Sequence, residues 1–240
     1  MHAMHVPDGF INAPISLVAG LIAVLGVTIC LRGARRELDD RAAPLAGLVA
    51  TFIFAVQMVN FPVAGGTSGH LLGGLLAAVL VGPYTGVLCV SVVLLVQALV
   101  FADGGLTALG VNVTNMAIIT VLVGYAVFKA LVTVLPKTKP SVVAASAVAA
   151  LLAVPAASLG FVAFYQVGGT TDVPLGTVLG AMVGVHLLIG IGEAIITAAT
   201  VASVLAVRPD LVHGARGLQR TLIVKPMINT PATDPAAGMR

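Results

Sequence analysis

The sequence predicts an all-α, polytopic membrane protein with a single membrane domain. Hydrophobic residues make up 59% of the 240 residues and charged residues only 9%, and the mean hydropathy is +1.10. A water-soluble domain carries roughly a quarter charged residues. Apolar runs near the ~20 residues needed to cross a bilayer recur along the whole chain. We expect no cleavable signal peptide, because no short basic region precedes a single apolar stretch.

About seven of these apolar runs are predicted to be membrane spans. The third is short and leads into Gly82-Pro83, which should kink or break it, so it is either a tilted short helix or half of a hairpin. The spans form a membrane domain over residues 1–207, and residues 208–240 are predicted to be a cytosolic, disordered tail. In order, the predicted spans cover residues 14–31, 43–60, 69–81, 84–102, 110–131, 141–165 and 176–207.

The placement of charge predicts the orientation of the spans. With seven spans, all the basic segments lie on one side, which the positive-inside rule assigns to the cytosol. The N-terminus and the outer loops hold no Lys or Arg but contain Asp8, Asp103 and Asp172, which favours the approach of cations. The basic pI of about 9.1 therefore reflects the basic segments on the cytosolic side and does not indicate nucleic-acid binding. The outer loops cover residues 61–68, 103–109 and 168–175; the basic segments contain Arg32, Arg35, Arg36 and Arg41, then Lys129, Lys137 and Lys139, then the residues from Arg208 to Arg240.

Two histidines on the predicted outer face are the leading candidates for binding a metal ion. An unblocked Met-His start offers its terminal amine, the next amide nitrogen and the imidazole to one ion, and a second imidazole from His70 could fill a further position. Nitrogen-only planar coordination suits Ni(II) or Cu(II), and a less regular version suits Co(II). Taken singly, His5 would be a polar interfacial residue and His70 a helix-capping residue. The Val6-Pro7-Asp8-Gly9 turn would tuck the terminus back into the protein.

Ionisable side chains inside the spans are the next candidates, because burying them in a membrane is costly. His186 and Glu193 are seven residues apart on the last span, hence on one helical face. They are either a buried polar pair bonded to neighbouring helices, such as those bearing Gln57, Asn112 and Asn115, or groups that support or transiently bind the cation.

Four other residues complete the candidates. Asn60, at the outer end of the second span, and Asp8 are candidate hydrogen-bond partners for a metal-binding histidine. Cys30 and Cys89 lie far apart within apolar spans and not in a CxxC pattern, so we expect packing residues and not a disulfide or metal pair.

No motif for catalysis accompanies these candidates. The sequence has no GxxxxGKS/T, so this chain is not expected to hydrolyse a nucleotide through a P-loop. The HExxH pattern, the serine elbow and a set of paired carboxylates are absent too. The protein is therefore not expected to be an enzyme.

Five segments together resemble the substrate-capture component of energy-coupling-factor cobalt and nickel transporters, the CbiM/NikM family. The similarity runs from Met4 to about Ala206. It implies a seven-helix protein of the prokaryotic plasma membrane with an outward N-terminus. It also implies that the amine of Met4, the amide nitrogen and imidazole of His5, and the imidazole of His70 bind the metal. The segments are MHVPDGF, NFPVAGGTSGHLLGG, LVGPYTGVL, LLVQALVFADGGLTALGVNVTNM and GVHLLIGIGEAIIT.

The resemblance further implies transport without catalysis by this chain and without a cofactor. It implies that Co(II) or Ni(II) is the transported substrate. In the family, cobalt is taken up for cobalamin synthesis. The implied partners are a transmembrane coupling component and cytosolic ATPase subunits, with a small accessory membrane subunit, all in or on the lipid bilayer. Because protons compete for the imidazoles, we expect capture to weaken as the pH falls below ~6.5.

Three residues, Met1-His2-Ala3, precede the family motif. In the family the MHxPDG motif is the true start, so its Met amine is free. We therefore expect translation to begin at Met4. If it begins at Met1 instead, Met1 and His2 would supply a displaced version of the same chelate.

Two other functions stay open at this stage. A self-sufficient, gradient-driven metal cation transporter or channel would use His186 and Glu193 as a proton-linked path and would need no ATPase partners. An organic-vitamin-binding subunit would need a larger outer pocket with aromatic stacking groups, whereas aromatic residues are 5% of the chain and Trp is absent. Cobalt and nickel both fit the sequence.

Overall fold

The computed structural model describes residues 5–38, 42–59, 61–62 and 68–219, and nearly all of these are helical. Two short strands, β1 (Phe61–Pro62) and β2 (Ser68–Gly69), pair antiparallel ahead of the third helix. A π-helical segment, Val113–Ile119, joins the fifth helix to the sixth without a break. The α-helices are α1 (Ala13–Ala34), α2 (Ala42–Gln57), α3 (Gly74–Val81), α4 (Pro83–Val100), α5 (Leu109–Asn112), α6 (Thr120–Val134), α7 (Lys139–Gly168), α8 (Leu175–Val207) and α9 (Arg216–Gln219).

Each of the seven predicted spans corresponds to a helical segment, and five of these are long and apolar enough to cross a membrane. The five are α1, α4, the continuous helix Leu109–Val134, α7 and α8. Helix α2 is apolar but has only 16 residues, and α3 has eight. The chain is therefore a multi-pass membrane protein. The total of seven crossings and the outward N-terminus stay predictions.

Side chains that lie just before several helices cap their N-termini. Asn12 Oδ1 accepts a hydrogen bond from the Ile15 amide at 3.1 Å, which caps α1. Thr138 Oγ1 does the same for α7 through the Ser141 amide at 3.3 Å. The start of α4 is capped from a distance, because the buried carboxylate of Glu37 accepts from the amide of Thr85 at 2.7 Å. This carboxylate ties the end of α1 to the start of α4.

Helix α3 lies at the centre of the bundle. Every residue from Leu75 to Val81 is at most 4% exposed. At 1.5 Å per residue the helix is about 12 Å long, well short of the ~30 Å hydrocarbon core. It begins later than the predicted residue 69 because residues 70–73 form a loop that ends at Gly73, with a φ of 76°. Gly82, with a φ of 103°, then turns the chain directly into α4. The third span is thus a short buried helix joined to α4 by a tight turn.

The outer faces of the long helices carry large apolar side chains. Leu17 on α1 is 66% exposed, Leu122 on α6 is 68% exposed and Val207 at the end of α8 is 79% exposed. Such faces fit contact with lipid, since water-soluble proteins rarely expose large apolar patches. Cys30 and Cys89 are both buried free thiols, as expected of packing residues.

Residues 208–219, the start of the predicted tail, fold back onto the bundle. Two short 3₁₀ turns, Pro209–Leu211 and His213–Ala215, lead into α9. Val212 is fully buried and Ala215 is 1% exposed. These residues therefore belong to the packed domain. Residues 220–240, for which disorder is predicted, lie outside the described residues.

Candidate metal site

The N-terminal segment is held by Asn112, the last residue of α5, and by the loop that precedes α5. The Val6 amide donates to Asn112 Oδ1 at 3.1 Å, and Asn112 Nδ2 donates to the Val6 carbonyl at 3.2 Å. The Gly105 amide also donates to that carbonyl, at 2.9 Å. The backbone next to His5 is therefore fixed on both its donor and its acceptor side. Asn112 is 4% exposed, so these bonds are shielded from water.

The turn after Val6 forms as expected and holds the segment to a second loop. The Phe10 amide donates to the Pro7 carbonyl at 3.4 Å, and Gly9 has a φ of 76°, which glycine adopts without strain. Asp8 Oδ1 accepts from the amide of Thr107 at 2.7 Å and from its hydroxyl at 2.6 Å. These hydrogen bonds lower the pKa of Asp8. Asp8 thus ties the segment that carries His5 to the loop 105–107 through hydrogen bonds with Thr107.

His5 and His70 meet in the folded chain. Their ring centroids are 4.9 Å apart with an angle of 76° between the ring planes. His5 is 5% exposed and His70 is 9% exposed. His5 Nδ1 lies 3.3 Å from the carbonyl oxygen of Asp103 and 3.4 Å from its Oδ2. His5 Nε2 is buried and has no hydrogen-bond partner among the described residues. Buried ring nitrogens in proteins are nearly always paired with a protein group, water or an ion.

The tautomer of His70 is set by the neighbouring backbone. His70 Nδ1–H donates to the carbonyl of Leu71 at 2.9 Å, which leaves the lone pair on Nε2. Burial, reinforced by the nearby His5, lowers the pKa of His70 to about 4. The imidazole is therefore neutral at pH 7, which is the form that binds a metal ion.

The loop 70–73 that carries His70 is held by two buried side chains. Glu193 on α8 accepts from the Leu72 amide at 2.8 Å and from the Gly73 amide at 2.7 Å, one bond to each carboxylate oxygen. Gln57 at the end of α2 donates to the Leu72 carbonyl at 2.7 Å. Glu193 is 2% exposed and Gln57 is fully buried. Two helices distant in sequence thus fix the position of His70.

A cavity of about 390 Å³ adjoins the two imidazoles. Its wall includes His186, whose Nδ1–H donates to the Met182 carbonyl at 2.7 Å, one turn earlier on α8. The shared helical face predicted for His186 and Glu193 does not bring them into one cluster. His186 borders the cavity, whereas Glu193 bonds to the loop 70–73.

Several predicted site residues lie outside the described residues: Met1, His2, Met4 and Asn60. Within the described part of the chain, no group of three or more His, Cys, Asp or Glu side chains is arranged to hold a metal ion. Two imidazoles alone do not complete a site for Ni(II) or Co(II). A site for either ion therefore needs further ligands, such as the main-chain nitrogens of Met4 and His5 that the family resemblance implies.

Asp103 and Asn112 are parts of the site that the sequence did not reveal. Their contacts join residues 98 and 106 positions apart, so no local pattern records them. The available signals were weak: an acid in an outer loop without basic residues, and an amide at the start of an apolar span.

Comparison with known proteins assigns the chain to a family. Residues 5–211 match the family described as CbiM, cobalt uptake substrate-specific transmembrane region. A protein of Haloquadratum walsbyi named for metal transport is 41% identical over 214 residues, which cover 87% of this chain and 93% of that protein. The fused nickel transport protein NikMN of Rhodobacter capsulatus is 36% identical over 226 residues, 89% of this chain and 65% of that protein.

A solved structure has the same fold. The crystal structure of a truncated transition metal transporter matches with a TM-score of 0.76 and 30% sequence identity, over 85% of this chain and 99% of that chain. The comparisons by sequence and by fold thus agree. The chain belongs to the CbiM family of substrate-specific transmembrane proteins of cobalt uptake.

Proposed function

We propose that this chain is the substrate-binding component of an ATP-driven importer and that it captures Co(II) or Ni(II) at its outward N-terminus. The observation that carries the proposal is the close approach of His5 and His70, whose ring centroids are 4.9 Å apart although the residues are 65 positions apart in sequence. Both rings are buried, and each has one nitrogen directed to a neighbouring oxygen. For His70, whose Nδ1 bonds to the Leu71 carbonyl and whose Nε2 is left for the ion, this is the arrangement in which a metal-binding histidine is oriented by a second hydrogen bond.

The proposed ligands are the amine of Met4, the amide nitrogen and imidazole of His5, and the imidazole of His70. A histidine that chelates through its own amide nitrogen closes a six-membered ring only through Nδ1. In His5 that atom lies against Asp103. Capture in this form therefore exchanges the contact with Asp103 for a bond to the ion, and the freed carboxylate oxygens remain close to a new positive charge.

Energy for transport is assigned to partners. The chain lacks a P-loop, so we propose that a transmembrane coupling component and cytosolic ATPase subunits drive the inward release, with a small accessory membrane subunit. A gradient-driven alternative needs a titrating path through His186 and Glu193. Both oxygens of Glu193 already accept backbone hydrogen bonds, which favours a role in holding the loop over proton transfer.

Transport assays separate these two mechanisms. In liposomes that hold only this chain, we expect no uptake of nickel or cobalt under a proton or metal gradient. Liposomes that hold the complex co-purified from the chain's own host are expected to accumulate the ion when ATP is supplied inside the compartment that contains the ATPases. Uptake by the chain alone, abolished by Glu193→Gln, would contradict the proposal and support the gradient-driven alternative.

Asp8→Ala is expected to weaken metal binding about tenfold, because the loss of an outer hydrogen-bond partner has effects of this size. The substitution removes both bonds to Thr107 and loosens the segment that carries His5. Titration with Ni(II) against a chromophoric chelator measures the change, and Asp172→Ala is the control in another outer loop.

The lowered pKa of Asp8 also predicts how its hydrogen bonds with Thr107 depend on pH. Since the hydrogen bonds from Thr107 lower the pKa of Asp8, the ionised carboxylate supports the folded segment above the ordinary carboxyl pKa of ~3.9. The support is lost only as the pH falls through the lowered value. Wild-type protein and Asp8→Ala should therefore respond alike to pH between 5 and 8, a range set by the same reference pKa values. An equal loss of affinity in Asp172→Ala would show that general negative charge, and not this contact, matters.

A further inference from the structure

The cavity beside His5 and His70 continues between three helical elements. The π-helical segment contributes Asn115 and Met116, α7 contributes Ser158, and α8 contributes Met182 and His186. Most of the residues that line the cavity are apolar, and Asn115, Ser158 and His186 are the polar groups in this part of it. Polar and ionisable groups inside a membrane bundle are costly and usually functional.

Asn115 is the least explained residue of this wall. It is 4% exposed, and both its Nδ2 and its Oδ1 are buried without a hydrogen-bond partner among the described residues. Nearly all buried side-chain amides in proteins are hydrogen-bonded to protein or water, so both polar atoms of this amide are available to a ligand. An amide oxygen is also a ligand for divalent cations.

The backbone around Asn115 is irregular as well. It belongs to the π-helical turn Val113–Ile119, and its carbonyl accepts from the hydroxyl of Thr120, five residues later, at 3.0 Å. Short π-helical segments inside α-helices occur frequently at functional sites. Here the irregular turn carries Asn115 and Met116, which both border the cavity.

His186 on α8 supplies an imidazole to the same cavity. Because its Nδ1–H donates to the Met182 carbonyl at 2.7 Å, the lone pair is on Nε2. A histidine oriented by a backbone carbonyl is the usual form of a metal ligand. Imidazole nitrogen suits Co(II) and Ni(II), and the thioethers of Met116 and Met182 add soft, neutral donors to the same wall.

We propose that this cavity contains a second, weaker cation site, to which Asn115 and His186 contribute two of the donors, and that this site receives the metal ion after capture. Its donors are neutral, so it binds less tightly than a site containing a deprotonated amide nitrogen. Weak binding at an inner position favours onward release, since conduction requires sites that an ion can also leave. The inference rests on the proposed function for the identity of the ion, but not for the existence of the site.

Histidine variants of the full-length chain test the proposal, because the sequence has only five histidines. The variant His2→Ala/His5→Ala/His70→Ala removes the imidazoles of the capture site and of its displaced version. It leaves His186 and His213. In detergent, with cobalt chloride as the probe and metal counted by mass spectrometry after dialysis, we expect this variant to bind one Co(II) at least about tenfold more weakly than the wild type.

Adding His186→Phe to that variant should abolish the remaining binding, whereas adding His213→Phe should leave it unchanged. Asn115→Asp in the same variant should tighten it about tenfold, since an anionic oxygen replaces a neutral one in the same shape; a misfolded protein would not gain affinity. Absence of residual binding, or residual binding unaffected by His186→Phe and Asn115→Asp, would overturn the inner site. Equal affinity of the wild type and the starting variant would instead overturn the capture site, and the comparison of His186→Phe with His213→Phe would still decide the inner one.

Discussion

Replacing His70 with alanine is expected to lower the affinity for Ni(II) or Co(II) by roughly 100-fold or more, since loss of a ligand exceeds the 10–100-fold effect of losing an outer hydrogen-bond partner. The reason is geometric. His70 is the buried imidazole that the fold brings to 4.9 Å from His5, with its lone pair already on Nε2. Competition titration against a chromophoric chelator, and metal uptake by cells that express the complete transporter, measure the loss.

His213→Ala is the matched control for this substitution. His213 is also partly buried, but it lies on a 3₁₀ turn after α8, where its ring centroid is 6.4 Å from that of Tyr125. We expect its removal to leave metal affinity unchanged. Unchanged affinity and uptake in His70→Ala would show that the site assignment is wrong.

Glu193→Leu is expected to weaken metal binding by about 10–100-fold although Glu193 touches neither imidazole in the described structure. The substitution leaves the amides of Leu72 and Gly73 buried without their acceptors, at a cost of about 1–3 kcal/mol for each bond lost. The loop 70–73 would then move away from α8 and take His70 with it. Metal titration measures the loss of affinity, and thermal unfolding measures the loss of stability.

Glu37 provides a control with the same chemistry elsewhere in the fold. It is 7% exposed and accepts backbone hydrogen bonds from Tyr84 and Thr85 at the start of α4. Glu37→Leu should therefore lower the unfolding temperature as Glu193→Leu does while leaving metal affinity unchanged. If both variants lose affinity equally, the effect of Glu193 is on stability alone and its role in positioning His70 is refuted.

Much of the fold follows from hydropathy, and the exceptions have a physical cause. Long apolar runs predict α1, α4, α7 and α8 to within a few residues, because burial in lipid requires complete internal hydrogen bonding over such lengths. Helix α3 is misjudged in length. Its eight residues are as apolar as a membrane span, and only the positive φ angles of Gly73 and Gly82 mark where the helix begins and ends.

The candidate site could be predicted in part, from the sequence motifs that contain its two histidines. His5 and His70 stand in distinctive glycine- and proline-rich motifs, so their residue types and predicted side of the membrane suggest a pair. Asp103 and Asn112 act through contacts across about a hundred residues, which depend on how the loops meet. The sequence left Glu193 as either a buried structural group or a group that supports or binds the cation. Only the tertiary structure shows that it holds the loop of His70.

Native mass spectrometry of the protein purified from its own host, equilibrated with equal amounts of Ni(II), Co(II) and Zn(II), tests the central claim most directly. The amine-dependent chelate predicts a mass that begins at Met4 and carries one nickel or cobalt ion. A mass that begins at Met1 with a bound ion would move the chelate to Met1 and His2. Protein that binds no metal ion, whichever residue it begins with, would contradict capture at the N-terminus.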